Sequence, residues 1–247
     1  MANKILILSL ILLIFCSCSK LNLFEEEGDY TETRYEFTAI TQIKNLNTFT
    51  IEIVQDDEEY LLLKGGENVL KEATISFSDQ EIILDHQYQN WTRNYDLITA
   101  EIHLKDLQTI TIDSPAEISS NGTLNGDNLY IDITADAELV EMNLTLDYAS
   151  MKFHSHGSVS GGYEFAGICP LANYTLNGIT NIKSSNLQSK TISIGQNGIG
   201  EAHVWAEEKL NVTIYNIGNI YYKGNPEIEI TKVQINNQSP TAKVLPE

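Results

Sequence analysis

The run Asn197-Gly198-Ile199-Gly200-Glu201-Ala202-His203-Val204-Trp205-Ala206, followed by Leu210-Asn211-Val212-Thr213-Ile214-Tyr215-Asn216-Ile217-Gly218-Asn219-Ile220-Tyr221-Tyr222-Lys223-Gly224-Asn225-Pro226, carries one pattern twice. In each copy a β-rich run gives way to Asn/Gly punctuation and then to a second β-rich run, and the copies start about twenty residues apart. Working outward, Ile110, Ile131, Met151, Tyr174, Ile192, Val212 and Ile228 stand as equivalent starts, separated by 21, 20, 23, 18, 20 and 16 residues. Turn residues recur between them, at Asp113-Ser114-Pro115-Ala116, His156-Gly157-Ser158, Asn177-Gly178 and Asn216-Ile217-Gly218. Gly and Asn reach positive φ cheaply, which a tight corner between strands demands and a β-branched residue resists.

One such repeat cannot bury its apolar positions, whereas stacked copies place Ile on Ile and Val on Val along a continuous interior. The expected fold is all-β: a parallel β-helix-like solenoid with rungs of about 20 residues and strands about 4.8 Å apart from rung to rung. A β-sandwich with hairpins every ten residues is disfavoured, because the similarity recurs at twenty residues and includes the turn. Asn and Ser at repeated corners are expected to hydrogen-bond up and down the stack. Upstream, Phe37 to Ile43, Phe49 to Val54, Tyr60 to Leu63, Ala73 to Phe77, Glu81 to Leu84 and Leu97 to Leu104 read as β-runs. Only Glu67 to Glu72, after Gly65-Gly66, tempts a helix, and it is too short to stand without packing. Pro226 and Pro240 bracket a last β-run, Ile228 to Ile235, and some cap must cover the terminal rung.

The chain opens with a leader, residues 1–17, in which Lys4 precedes an apolar run, Ile5 to Phe15, shorter than a membrane span of about 20 residues. Phe15-Cys16-Ser17-Cys18-Ser19 resembles a bacterial lipobox, with Cys18 as the acylated residue that anchors the protein to a membrane through its acyl chains. Residues 18–34, with Glu25-Glu26-Glu27-Gly28-Asp29, then read as a flexible acidic tether, residues 35–235 as the solenoid and residues 236–247 as a polar tail. Cys169 is left as a lone cysteine, expected to be buried and inert. Lys and Arg total 15 against 34 Asp and Glu, a net charge of −19, which disfavours nucleic acid as a partner.

No constellation for chemistry emerges. His154-Ser155-His156 puts two imidazoles on one face of a strand, but spacing fixes no third ligand, so no metal or cofactor is expected. Gly157-Ser158-Val159-Ser160-Gly161 has Val159 where a nucleophile elbow needs serine. Asp113, Asp132, Asp136 and Asp147 could supply paired carboxylates, yet the only arginines are Arg34 and Arg93, outside the repeats. Trp205, Tyr221 and Tyr222 are the candidate binding surface, since aromatic faces stack on ligands, with Tyr215 a further aromatic beside them. Adjacent Tyr221 and Tyr222 point to opposite sides of a strand, so one of them should be exposed.

At these residues the sequence resembles the putative auto-transporter adhesin, head GIN domain family of bacterial envelope proteins. The carrying residues are Asn197 to Ala206 with Lys209-Leu210-Asn211-Val212, and Gly218-Asn219-Ile220-Tyr221-Tyr222-Lys223-Gly224-Asn225-Pro226. Phe37-Thr38-Ala39-Ile40, the run from Phe49 to Tyr60 and Glu67-Asn68-Val69-Leu70 extend the likeness upstream. The resemblance implies a right-handed β-helix-like domain, usually exported and often lipid-anchored, with no established activity. The expected function is therefore a lipid-anchored protein of the Gram-negative outer membrane, non-catalytic, acting as a surface interaction module or adhesin towards a glycan or protein. A periplasm-facing structural or sensing component is the alternative, and a polysaccharide-active enzyme a remote one; oligomeric state is not readable.

Overall fold

The computed structural model of the chain describes residues 26–87, 96–235 and 239–247. The leader with Cys18, Arg93 and the start of the expected tail at 236–238 lie outside the described residues. From the N-terminus the elements are β1 (Tyr30–Glu36), β2 (Gln42–Asn45), β3 (Phe49–Gln55), β4 (Tyr60–Gly66), α1 (Glu67–Leu70), β5 (Ala73–Ser78), β6 (Glu81–His86), β7 (Thr99–Leu104) and β8 (Thr109–Ile112). Six more follow: β9 (Ala116–Ile133), β10 (Leu139–Ser155), β11 (Ser160–Ile168), β12 (Leu171–Leu176), β13 (Ile179–Gln196) and β14 (Ala202–Ile214). Three short ones close the chain: β15 (Ile220–Lys223), β16 (Glu227–Lys232) and β17 (Val244–Pro246). Burial alternates residue by residue along β6, β7 and β8, as the period of two in a strand requires.

The strands form a β-solenoid of about six turns joined by parallel bridges. One inward column runs through Ile43, Ile110, Ile131, Phe153, Tyr174, Ile194 and Val212, each in register with the next, and ends at Ile230, which is exposed on the last strand. From Ile110 onward its steps are 21, 22, 21, 20, 18 and 18 residues. Four expected starts, Ile110, Ile131, Tyr174 and Val212, fall in this column. Met151, Ile192 and Ile228 belong instead to the inward column two residues earlier, with Leu129, Ala172 and Leu210. A two-residue slip keeps a side chain on the same face, so hydrophobicity alone could not separate the columns. Register shifts between Asn143 and Thr145 and between Ser184 and Gln188 absorb the unequal rung lengths.

The corners work differently from expectation. Gly178 does adopt positive φ, at 62°, but Asn197 and Asn216 do not. Gly200 and Gly218 are required instead by close approach, because a Cβ there would collide with the carbonyl oxygens of Thr180 and Gly200 in the preceding rung. Asn216 bonds along the stack, its Nδ2 donating to the Asn197 carbonyl at 2.9 Å, and Asn177 Nδ2 donates to the Ser155 carbonyl at 2.5 Å.

At the N-terminal end, stacking order departs from chain order. β2 lies between β6 and β8, and β3 between β7 and β9, so the rung made of β6 and β7 sits outside the earlier rung made of β2 and β3. Antiparallel strands cover its edge: β5 on β6, β4 on β7, and β1 on β4. The first strand thus begins at Tyr30, inside the segment expected to be a tether, and β1 pairs with β4 along its whole length. The β-run expected from Phe37 starts only at Gln42, since Ala39 has a φ of 58°, outside the strand region. Only one helical turn, α1, forms in the Glu67 to Glu72 stretch; it buries Val69 and Leu70. At the other end β17 pairs with β15, so the expected polar tail returns to the stack and buries Ala242. Pro246 in β17 and Lys232 in β16 suit the open edge.

The core is one continuous cluster. Phe153 lies at its centre, fully buried, with ring centroids 4.7 Å from Tyr163 and 6.0 Å from Phe165. Phe153→Ala should destabilise the protein by about 3–5 kcal/mol in denaturant unfolding; a loss under about 1 kcal/mol would mean that the column is not packed as described. The N-terminal cap is clamped by Lys64 of β4, whose Nζ donates to Glu101 Oε2 of β7 at 2.6 Å. That bond first, against burial, holds the Glu101 carboxyl below the ordinary glutamate range. A depressed carboxylate stabilises the fold above the unfolded glutamate value of about 4.3, and the contribution disappears as pH falls through the lower folded value. The urea midpoint should accordingly drop on acidification below about pH 4.3, and less steeply in Glu101→Gln; an unchanged slope would contradict the clamp.

Candidate functional site

The aromatic surface expected from sequence is largely engaged with its own neighbours. Trp205 on β14 and Lys223 on β15 are register partners, and the Lys223 ammonium lies 4.1 Å from the indole centroid. Tyr221 stacks on His203, its partner one rung back, with centroids 4.7 Å apart and planes at 17°. Of the adjacent tyrosines, Tyr222 packs against the core while Tyr221 takes the outer side, where it is half-buried rather than exposed. His203 Nδ1 is 2.6 Å from Glu247 Oε1, and Ser185 Oγ donates to the same carboxylate at 2.8 Å. Burial acts against the Glu247 charge, yet the His203 and Ser185 bonds keep its carboxyl below the ordinary range.

A second outer face carries a groove. Parallel register lines up Thr109, Tyr130, Lys152, Asn173, Ser193 and Asn211 across β8, β9, β10, β12, β13 and β14. Along this row runs a groove of about 650 Å³ lined by Asp106, Asp127, Asn128, Tyr130, Lys152 and Asn173, among others. It continues into a second recess of about 570 Å³ that shares Lys152 and Asn173 and reaches Ser193 and Asn211. The Lys152 ammonium stands 5.5 Å from the Tyr130 ring centre, and Ser150 Oγ donates to Asn128 Oδ1 at 2.7 Å.

Beside the groove the stacking brings together what spacing did not. His154 and His156 share a face as expected, with ring centroids 3.8 Å apart. Asp132, the register partner of His154, comes from the rung before. Its Oδ1 lies 2.9 Å from His156 Nε2 and 4.0 Å from His154 Nδ1, and accepts the Tyr130 hydroxyl at 2.8 Å. Burial, and then the hydrogen bond to Asp132, push the Tyr130 phenol up to about 12. Burial, with His156 adding to it, holds the His154 imidazole below the ordinary histidine value, and the Asp132 charge opposes both. The other carboxylates considered do not join this group: Asp113 pairs with Lys44 at 3.6 Å, while Asp136 and Asp147 are exposed. Cys169 is buried, and burial pushes its thiol up to about 11, out of the reactive range.

The family profile described as putative auto-transporter adhesin, head GIN domain, matches residues 37–226. The fold resembles the crystal structure of a putative adhesin from Bacteroides fragilis with a TM-score of 0.75 and 19% identity, covering 89% of this chain and 97% of that one. It resembles a putative adhesin from Parabacteroides distasonis at a TM-score of 0.68 and 18% identity, over 89% and 98% of the two chains. A putative adhesin from Parabacteroides merdae gives 0.66 and 17%, over 89% and 97%. No curated protein matches the sequence.

In a histidine titration followed by imidazole NMR, His154 should titrate below the ordinary value of about 6.5. Asp132→Asn should lower it further, because the substitution removes the charge that pulls it upward. A rise in the variant would show that Asp132 does not face His154.

Proposed function

The chain belongs to the putative auto-transporter adhesin, head GIN domain family, and from that premise we propose that it is a lipid-anchored cell-envelope protein whose solenoid binds carbohydrate on its outer face without catalysis. The observation that carries this reading is the groove over β8, β9, β10 and β12, lined mainly by carboxylate, amide and hydroxyl groups with one phenol ring and one ammonium. Such a lining suits a hydroxyl-rich ligand. Carboxylates and amides bind pairs of hydroxyls, and the Tyr130 ring offers an apolar face to stack on a sugar. A strand ladder fixes these groups before the ligand arrives, so little ordering cost falls on binding. The net charge of −19 favours neutral or cationic glycans over polyanions.

Acylated Cys18 is the anchor in this reading, and two or more acyl chains give the hold that one cannot. Residues 19–25 then separate the anchor from Glu26, Glu27 and Asp29, whose carbonyls accept hydrogen bonds from Asn68 and Glu67 of α1. The outward face of the outer membrane fits a glycan-binding role; a structural or sensing role facing the periplasm is the alternative. Asp106 and Asp127 both line the groove, which is the observation favouring a polysaccharide-cleaving enzyme as a second reading.

Cys18→Ala should move the protein from the membrane fraction to the soluble fraction, and retention on membranes would sink the anchor. That variant on a glycan array should bind neutral oligosaccharides, with Lys152→Ala/Asn173→Ala weakening binding at least about tenfold, or ~1.4 kcal/mol. Binding untouched by the double variant would place the site elsewhere, and an array without signal would count against carbohydrate altogether. Release of new reducing ends would decide for the enzyme.

A further inference from the structure

We propose that Asp132, His154 and His156 form a binding site for a divalent transition-metal ion of the zinc class. Among the described residues this is the one group of three histidine, cysteine or acidic side chains whose ligand atoms all lie within 4.8 Å of one another. Tetrahedral coordination with bonds of about 2.0–2.2 Å sets neighbouring ligand atoms about 3.3 Å apart. The Asp132 Oδ1 distances to His156 Nε2 and His154 Nδ1, 2.9 and 4.0 Å, bracket that value. Small side-chain rotations would close the set.

The backbone holds the three ligands in place before any ion arrives. Asp132 and His154 face each other across the parallel ladder of β9 and β10, and His156, one residue past the end of β10, is held by its backbone N–H on the Ile133 carbonyl with its ring against His154. Neither pairing depends on a long loop. The Tyr130 hydroxyl supports the carboxylate from outside, as groups behind metal ligands commonly do. Without an ion His156 Nε2 bonds Asp132 Oδ1 directly, and a cation held between these atoms would take the place of that contact while the Tyr130 hydroxyl keeps its own. Two imidazoles with one carboxylate select zinc, copper or nickel over magnesium and calcium, which prefer all-oxygen sites. Exposures of 21%, 28% and 41% for Asp132, His154 and His156 leave room for water or a ligand oxygen as a fourth partner. The site adjoins the groove through Tyr130 but does not depend on what the groove binds.

The test uses the full chain carrying Cys16→Ser and Cys18→Ser, so that these N-terminal thiols cannot compete, stripped with chelator and titrated calorimetrically with zinc chloride in excess calcium. One zinc per chain is expected, and cobalt should give the visible absorption of a tetrahedral imidazole site. His154→Ala and His156→Ala should each weaken zinc binding more than about 100-fold, beyond the 10–100-fold typical of supporting residues, and Tyr130→Phe about tenfold. His203→Ala, at a separate histidine–carboxylate pair, should change nothing. Asp132→Asn, which keeps the size of the side chain, serves as the second ligand variant if an alanine variant shows altered circular dichroism. Absence of stoichiometric binding, or binding that survives loss of His154 and His156, would overturn the site.

Discussion

Everything in this protein depends on the in-register parallel ladder. No single rung has enough apolar surface to pay, in burial, for the entropy of ordering its backbone. Ile131 is buried only because Ile110 lies on one side and Phe153 on the other, and the same holds at each interior step of the column, whereas Ile230 at its end is exposed. The ladder also multiplies the outer face. A residue that points outward in one rung acquires outward neighbours above and below, so chemistry accumulates in columns that run across the strands. Tyr130, Lys152 and Asn173 form one such column, and Asp132 and His154 begin another.

Most of the architecture was legible because its cause is periodic. Recurrence near twenty residues, with β-runs alternating with Asn/Gly corners, points to stacked parallel rungs, and the strands after Ala116 follow that pattern. Two kinds of feature were not legible. One is threading: nothing in Glu81 to His86 says that β6 will lie outside β2, because strand sequence encodes a buried face and not a neighbour. The other is the ends, where Tyr30 to Arg34 and Val244–Pro246 read as polar linker and tail, yet each belongs to a strand. Strands at an edge need only one buried face or none, so their hydrophobic signal is weak. The corner glycines were correctly marked as punctuation but for an incomplete reason, since Gly200 and Gly218 answer to the carbonyl of the rung below.

The site shows how much two residues of register matter. Aligning Ile131 with Met151 would set Asp132 against Lys152, an ordinary ion pair on a solvated face. The structure aligns Ile131 with Phe153 and so sets Asp132 against His154, beside His156. Both alignments bury apolar residues on the inner face, which is why hydrophobic pattern could not choose between them. The aromatics Trp205 and Tyr221 stood out in sequence, but the same stacking that makes columns supplies them with Lys223 and His203 as partners. Chemical prominence in the sequence thus passed to a neighbouring rung, while the less conspicuous Tyr130, Asp132 and Lys152 came to share a face.

The register between β9 and β10 is therefore the quantity on which both the groove and the histidine–carboxylate group stand. Interstrand amide NOEs in a perdeuterated sample measure it directly. The account predicts contacts linking the backbone around Asp132 to that of His154, and around Tyr130 to that of Lys152. Contacts linking Asp132 to Lys152 instead would contradict it, because the two columns of the outer face would then no longer exist.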